Sequence, residues 1–189
     1  MVNHLFSLNM NKISFILLLI TVSLSSLAQN HVQYGLYAEG GWFMPEMEDQ
    51  AKQNGFSTGI GAYVSIPLWD KLSTTLGLGY RFKTNKNYQY RWIKFPQHYL
   101  VIPLKPRYTT NRGFFFEAGI EASRVLNYER INEEIEYNWL VGIGNSAHRL
   151  QWYLNYIEGF KEQGMGDNVG QIYFNHMLLL GISFPLLGE

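Results

Sequence analysis

Polar and apolar side chains alternate along this chain with a period of two, and they do so in eight separate stretches. Successive side chains of a strand leave opposite faces of the sheet, so this period specifies strands with one apolar and one polar face. The clearest stretch sets Phe56, Thr58, Ile60, Ala62, Val64, Ile66 and Leu68 against Ser57, Gly59, Gly61, Tyr63 and Ser65. A tight turn at Trp69-Asp70-Lys71 leads into Leu72, Thr74, Leu76, Leu78, Tyr80 and Phe82, opposite Ser73, Thr75, Gly77, Gly79, Arg81 and Lys83, which completes a hairpin. Upstream, Tyr34, Leu36, Ala38 and Trp42 oppose Gln33, Gly35, Tyr37, Glu39 and Gly41. Downstream, Leu100, Ile102, Leu104 and Tyr108 oppose Lys105 and Arg107, and Phe114, Phe116, Ala118, Ile120 and Ala122 oppose Glu117, Gly119, Glu121 and Ser123. Three more stretches, within 137–144, 149–156 and 171–184, repeat the rule. The charges fall with the glycines, away from the aliphatics. A soluble barrel carries the opposite polarity, so this pattern fits a barrel whose outer face meets lipid.

The connections alternate in length as well. Short turns at about 69–71, 109–112 and 145–147 interleave with longer loops at about 45–54, 84–97, 127–135 and 160–170. Outer-membrane barrels join their strands by short periplasmic turns and long outer loops, and an even strand number puts both ends of the barrel at the periplasmic face. Aromatic residues then fall into two bands. Tyr34, Trp69, Tyr108, Phe114, Trp152 and Phe184 mark the lower rim, and Trp42, Tyr80, Phe82, Tyr99 and Trp139 lie toward the upper one. The expected fold is all-β, an eight-stranded antiparallel up-and-down transmembrane barrel.

The first 28 residues read differently. Lys12 precedes an apolar run from Ile13 to Val22, and Ser26 and Ala28 supply the small residues of a cleavage site. The run is shorter than the ~20 residues a spanning helix needs, so it reads as a secretory signal rather than an anchor. The expected organisation is a signal peptide over 1–28 and a barrel domain over 29–189. Absence of cysteine excludes a disulfide framework, a thiolate zinc site and a cysteine nucleophile. With 15 basic and 15 acidic residues, nothing in the charge speaks for a nucleic-acid partner.

Three local sequences carry a resemblance. These are His98-Tyr99-Leu100-Val101-Ile102-Pro103-Leu104-Lys105, the pair Val64-Ser65-Ile66-Pro67-Leu68 and Leu76-Gly77-Leu78-Gly79-Tyr80, and Leu180-Gly181-Ile182-Ser183-Phe184. Together they are similar to strands of the bacterial outer-membrane β-barrel domain family that includes the PorT-like proteins, and the resemblance spans nearly all of the chain after residue 28. It implies a porin-type small barrel in the cell envelope, in a family where some members serve protein secretion and gliding. The chain departs from that pattern twice. Pro106 adds a second missing donor to the fourth strand, where a bulge or irregular pairing is expected, and a tail, Pro185-Leu186-Leu187-Gly188-Glu189, follows Phe184.

Eight strands enclose an interior that side chains can fill, so function is expected at the loops, the rims or a partner. The inward face carries Glu39, Arg81, Lys105, Arg107, Glu117, Glu121 and Arg149, read as a paired lumen network with Lys105 and Glu117 as near cross-strand neighbours. An ion gate is the sharper alternative. In the loop at 84–97, Lys86, Arg91 and Lys94 stand among Tyr88, Tyr90, Trp92 and Phe95, a set suited to anionic lipopolysaccharide or to a glycan or protein partner. The acidic runs Glu46-Met47-Glu48-Asp49 and Glu129 to Glu134 read as solvated, without a metal. His148 with Ser146, and His176, are the candidates for catalysis, but none has a spaced triad partner, and the chain reads as a non-enzyme without a cofactor. The expected protein is a binding, structural or envelope-assembly component, as a monomer or within a larger complex. The alternative is a soluble exported lipocalin-like barrel holding a small apolar ligand.

Overall fold

The structure, a computed structural model, describes residues 32–47, 55–84, 96–127, 135–146, 150–160 and 173–187. The signal expected over 1–28, most of the loop expected at 84–97 with its seven candidate residues, Arg149 and His148 lie outside the described residues. Eight strands follow in chain order: β1 (Gln33–Met47), β2 (Gly55–Trp69), β3 (Leu72–Thr84), β4 (Gln97–Thr109), β5 (Phe114–Val125), β6 (Glu136–Asn145), β7 (Gln151–Gly159) and β8 (Tyr173–Leu187). Each pairs antiparallel with the next, and β8 closes on β1. The short turns join β2–β3, β4–β5 and β6–β7 at one end, the end taken as periplasmic.

The register fixes how the sheet closes. Following directly opposed residues around the wall leads from Tyr34 through Val64, Leu76, Leu104, Ile120, Trp139, Glu158 and His176 to Met44. The circuit returns to β1 ten residues above its start, which is the stagger of the barrel, and a stagger of that size tilts the strands by roughly 40° from the axis.

Side chains sort as the alternation requires. Val101, Phe115, Leu140, Tyr153, Ile157, Met177 and Leu179 are buried in the lumen with the charged residues, while Leu36, Ile60, Leu78, Ile102, Phe116, Leu180 and Ile182 lie exposed on the outer wall. That outer face is the reverse of a soluble barrel's, and it rules against the apolar-ligand calyx. No helix among the described residues is long and apolar enough to cross a membrane.

One expectation changes, and the two departures noted in the sequence take a definite form. Tyr99, placed in the upper girdle by its aromatic ring, is 1% exposed and faces inward, because it shares the odd-numbered parity of Val101 and Lys105 on β4. After Phe184, β8 runs on to Leu187, which opposes Tyr34, and the register shift between Tyr34 and Gly35 leaves Leu186 as the extra residue, with Pro185 paired to Gly35. At Pro106 the irregular pairing expected there is present, as an interrupted ladder rather than a bulge. Thr74↔Pro106 and Gly79↔Val101 keep one register against β3, as do Leu104↔Ile120 and Arg107↔Glu117 against β5. The ladder is instead interrupted, beside Pro103 toward β3 and at Lys105–Pro106 toward β5. The two prolines stand an odd number of residues apart, so their missing N–H groups face opposite neighbours.

Candidate functional site

The lumen is built by interdigitation. Large side chains of one strand lie over glycines of strands nearby: the Tyr63 ring covers Gly35, Tyr37 reaches across Gly61 of β2 to Gly79 of β3, Tyr153 covers Gly181 and Phe115 covers Gly144, each occupying the space a Cβ would need. At these five positions glycine is therefore the socket for an aromatic ring, which explains why they share a face with the charges.

Between these rings lie two ion-paired clusters. In one, Arg81 from β3 holds Glu39 of β1 through Nη2 at 2.7 Å and grips Glu121 of β5 with both terminal nitrogens, Nη2 to Oε2 at 2.8 Å. The Tyr153 hydroxyl donates to Glu39 Oε2 at 3.3 Å. In the other, Glu117 accepts from Lys105 Nζ at 2.7 Å on one oxygen and from Arg107 Nη2 at 2.8 Å on the other, while Arg107 Nη1 donates to Gln151 at 2.8 Å. The Arg107 guanidinium also lies 3.8 Å from the centre of the Phe115 ring. Six of the seven expected lumen residues thus come together in two groups of opposite net charge, one cation between two carboxylates and one carboxylate between two cations, which balance only when taken together, and Arg149 lies outside the described residues. The anticipated Lys105–Glu117 contact is present as a diagonal pair, with Arg107 directly opposite Glu117.

Other members of the lumen carried no such expectation. Lys83, 1% exposed, sits over the ring of Tyr99 at 4.0 Å and of Phe43 at 5.3 Å. Gln97 accepts from the Tyr99 hydroxyl at 2.9 Å. Parity marks Lys83, Gln97 and Gln151 as inward-facing, but only the register tells which charge or ring each one meets. A cavity of about 30 Å³ lies between the two ion clusters, bordered by Tyr63, Asn155, Arg81 and Lys105. Tyr63 Oη and Asn155 Oδ1 find no protein partner there. This is room for a water molecule or two, not for a ligand.

The histidines among the described residues, His98 and His176, lie on the outer wall. His176 faces outward near the loop end, where the Tyr156 hydroxyl lies 3.0 Å from Nδ1 and the Glu158 carboxylate 3.9 Å away. Ser146 is engaged at the periplasmic rim, its hydroxyl donating to the Gly113 carbonyl at 3.1 Å. Among the described residues no group of acids and histidines has the arrangement of a metal site.

No family model and no curated protein matches the chain. Solved structures do. Neisserial surface protein A (NspA) aligns at 13% identity over 81% of this chain and 97% of its own, with a TM-score of 0.50. The outer membrane enzyme PagL aligns at 13% identity over 78% and 99%, with a TM-score of 0.51. At such identity the likeness is one of fold. The fold is that of the small bacterial outer-membrane β-barrels, and the apolar belt on its outer wall is the surface such a barrel presents to the lipid of that membrane.

Proposed function

We propose that this protein is a non-enzymatic binding or assembly component of the outer membrane, acting through its outer loops or its periplasmic rim. The observation that carries the proposal is the filled lumen: with both ion clusters closed and only about 30 Å³ between them, the interior has no room to admit a solute. Work is left to the two ends. At the periplasmic end the turns are bonded to one another, Thr109 N–H to the Lys71 carbonyl at 2.8 Å and Ser146 N–H to the Gly113 carbonyl at 2.8 Å, which makes a fixed rim for a partner. Gly113, at φ +80°, supplies the left-handed residue that the β4–β5 turn requires.

At the other end, Lys86, Arg91 and Lys94 among Tyr88, Tyr90, Trp92 and Phe95 form a basic aromatic set that suits lipopolysaccharide or an envelope protein. The PorT-like resemblance makes a secretion complex the natural setting, with residues 1–28 as the export signal. Cross-linking in intact cells tests this reading, comparing the natural chain with the triple variant Arg91→Ala, Trp92→Ala, Lys94→Ala. The expected result is loss of a discrete cross-linked species with the barrel still inserted. Identical cross-linking patterns would overturn the assignment to this loop.

A further inference from the structure

The buried charges of the lumen leave one cation over. The Arg81 group carries one negative charge in excess and the Glu117 group one positive, so the two cancel and Lys83 remains. Lys83 is 1% exposed, and no carboxylate among the described residues lies within ion-pair distance of it. What holds its ammonium is aromatic, the Tyr99 ring at 4.0 Å and the Phe43 ring at 5.3 Å. A ring face attracts a cation, but by less than it costs to take an ammonium out of water, and it does not replace the oxygen acceptors that three N–H groups lose there. Glu136, the acid that bears on Lys83 most, stands half-buried on β6 with Oε2 3.4 Å from the Ser123 hydroxyl.

The register sets two more donors beside this ammonium. Ser57, Lys83 and Gln97 are directly opposed across β2, β3 and β4, and all three face inward, at 0%, 1% and 2% exposure. The Ser57 hydroxyl is buried and has no hydrogen-bond partner. Gln97 accepts from the Tyr99 hydroxyl through its amide oxygen at 2.9 Å, so its amide nitrogen is the group left to donate, and it has no partner among the described residues. One row thus offers a hydroxyl, an ammonium and an amide N–H, with a single positive charge among them. It lies at the loop end of the lumen, where Ser57 is the third residue of β2, Lys83 the last but one of β3 and Gln97 the first of β4, so a ligand held there need not enter the closed interior below. Three donors around one charge complement a small anion that is also singly charged; a phosphate carrying two charges would need a second cation.

From this row we infer that Ser57, Lys83 and Gln97 bind one chloride-like inorganic anion at the outer mouth of the lumen, as the counter-ion of the buried ammonium. The site stands apart from the loop contacts proposed above and adds an inorganic ligand to the barrel itself. Chloride NMR line widths test it on the full chain folded in a non-ionic detergent, with sodium chloride as the probe. The natural chain is expected to broaden the chloride resonance beyond the detergent alone. Lys83→Gln should abolish that excess, Ser57→Ala should weaken chloride binding roughly tenfold, as loss of one hydrogen bond to a charged group gives, and Arg112→Gln at the opposite rim should leave it unchanged. A natural chain without excess broadening would overturn the site and leave Glu136 to serve Lys83 through water. Broadening that persists in full in Lys83→Gln would overturn it as well, by placing the anion elsewhere. Each sample is first checked for the heat-dependent gel shift of an intact barrel. Where Lys83→Gln does not fold, Ser57→Ala decides, and chloride affinity equal to that of the natural chain would overturn the site.

Discussion

Glu117 carries the lower half of the lumen. Two cations share its carboxylate, Lys105 on one oxygen and Arg107 on the other, and the acid is 3% exposed. Exchange for Gln keeps the shape and removes the charge, leaving two buried cations without their counter-ion. Breaking a buried pair in this way costs about 3–5 kcal/mol. Glu117→Gln is therefore expected to lower the urea midpoint of the refolded barrel markedly. In planar bilayers the natural chain and the variant should both stay silent, because the Arg81 cluster still closes the lumen; unitary currents from the variant would show that Glu117 gates a path. Residue chemistry was partly legible in advance. The alternation placed Glu39, Arg81 and Glu121 on the inward face, yet Glu39 and Arg81 are 42 positions apart and their contact depends on the register of three strands. Lys105 and Glu117 were paired from the sequence because a single tight turn separates them.

Among the elements, β4 is the irregular one, and its prolines explain where its ladder breaks. Pro106 withholds a donor from β5 while its side chain faces lipid, so Pro106→Ala is expected to restore one inter-strand hydrogen bond without disturbing the lumen. The gain should be about 0.5–1.5 kcal/mol, the net worth of one such bond, and urea unfolding of both forms measures it. A loss of stability would mean that the fixed φ of Pro106 contributes more than the bond it withholds. Strand existence, order and face were legible because a period of two survives interruption by single residues. Strand ends were less so: Phe184 looked terminal as the last aromatic, but Leu186 continues the outward parity and Leu187 still has Tyr34 to pair with. Tyr99 shows the other limit, since its ring suggested a girdle while its parity put it inside, and parity decides.

At the scale of the molecule, eight strands with a stagger of ten residues give a closed wall that is aliphatic outside, ion-paired and ring-packed inside, and bonded turn to turn at one rim. Closure could be anticipated from the count of segments and their alternating connections. Stagger could not, because it is the sum of eight pairings that no local pattern encodes. The central claim is that this wall spans the outer membrane, and gel mobility with and without boiling tests it most directly, on protein extracted from the outer-membrane fraction. A folded barrel resists detergent and migrates apart from its boiled, unfolded form, so the account predicts two bands that interconvert on heating. A protein found in the soluble periplasmic fraction, with one mobility before and after boiling, would contradict it.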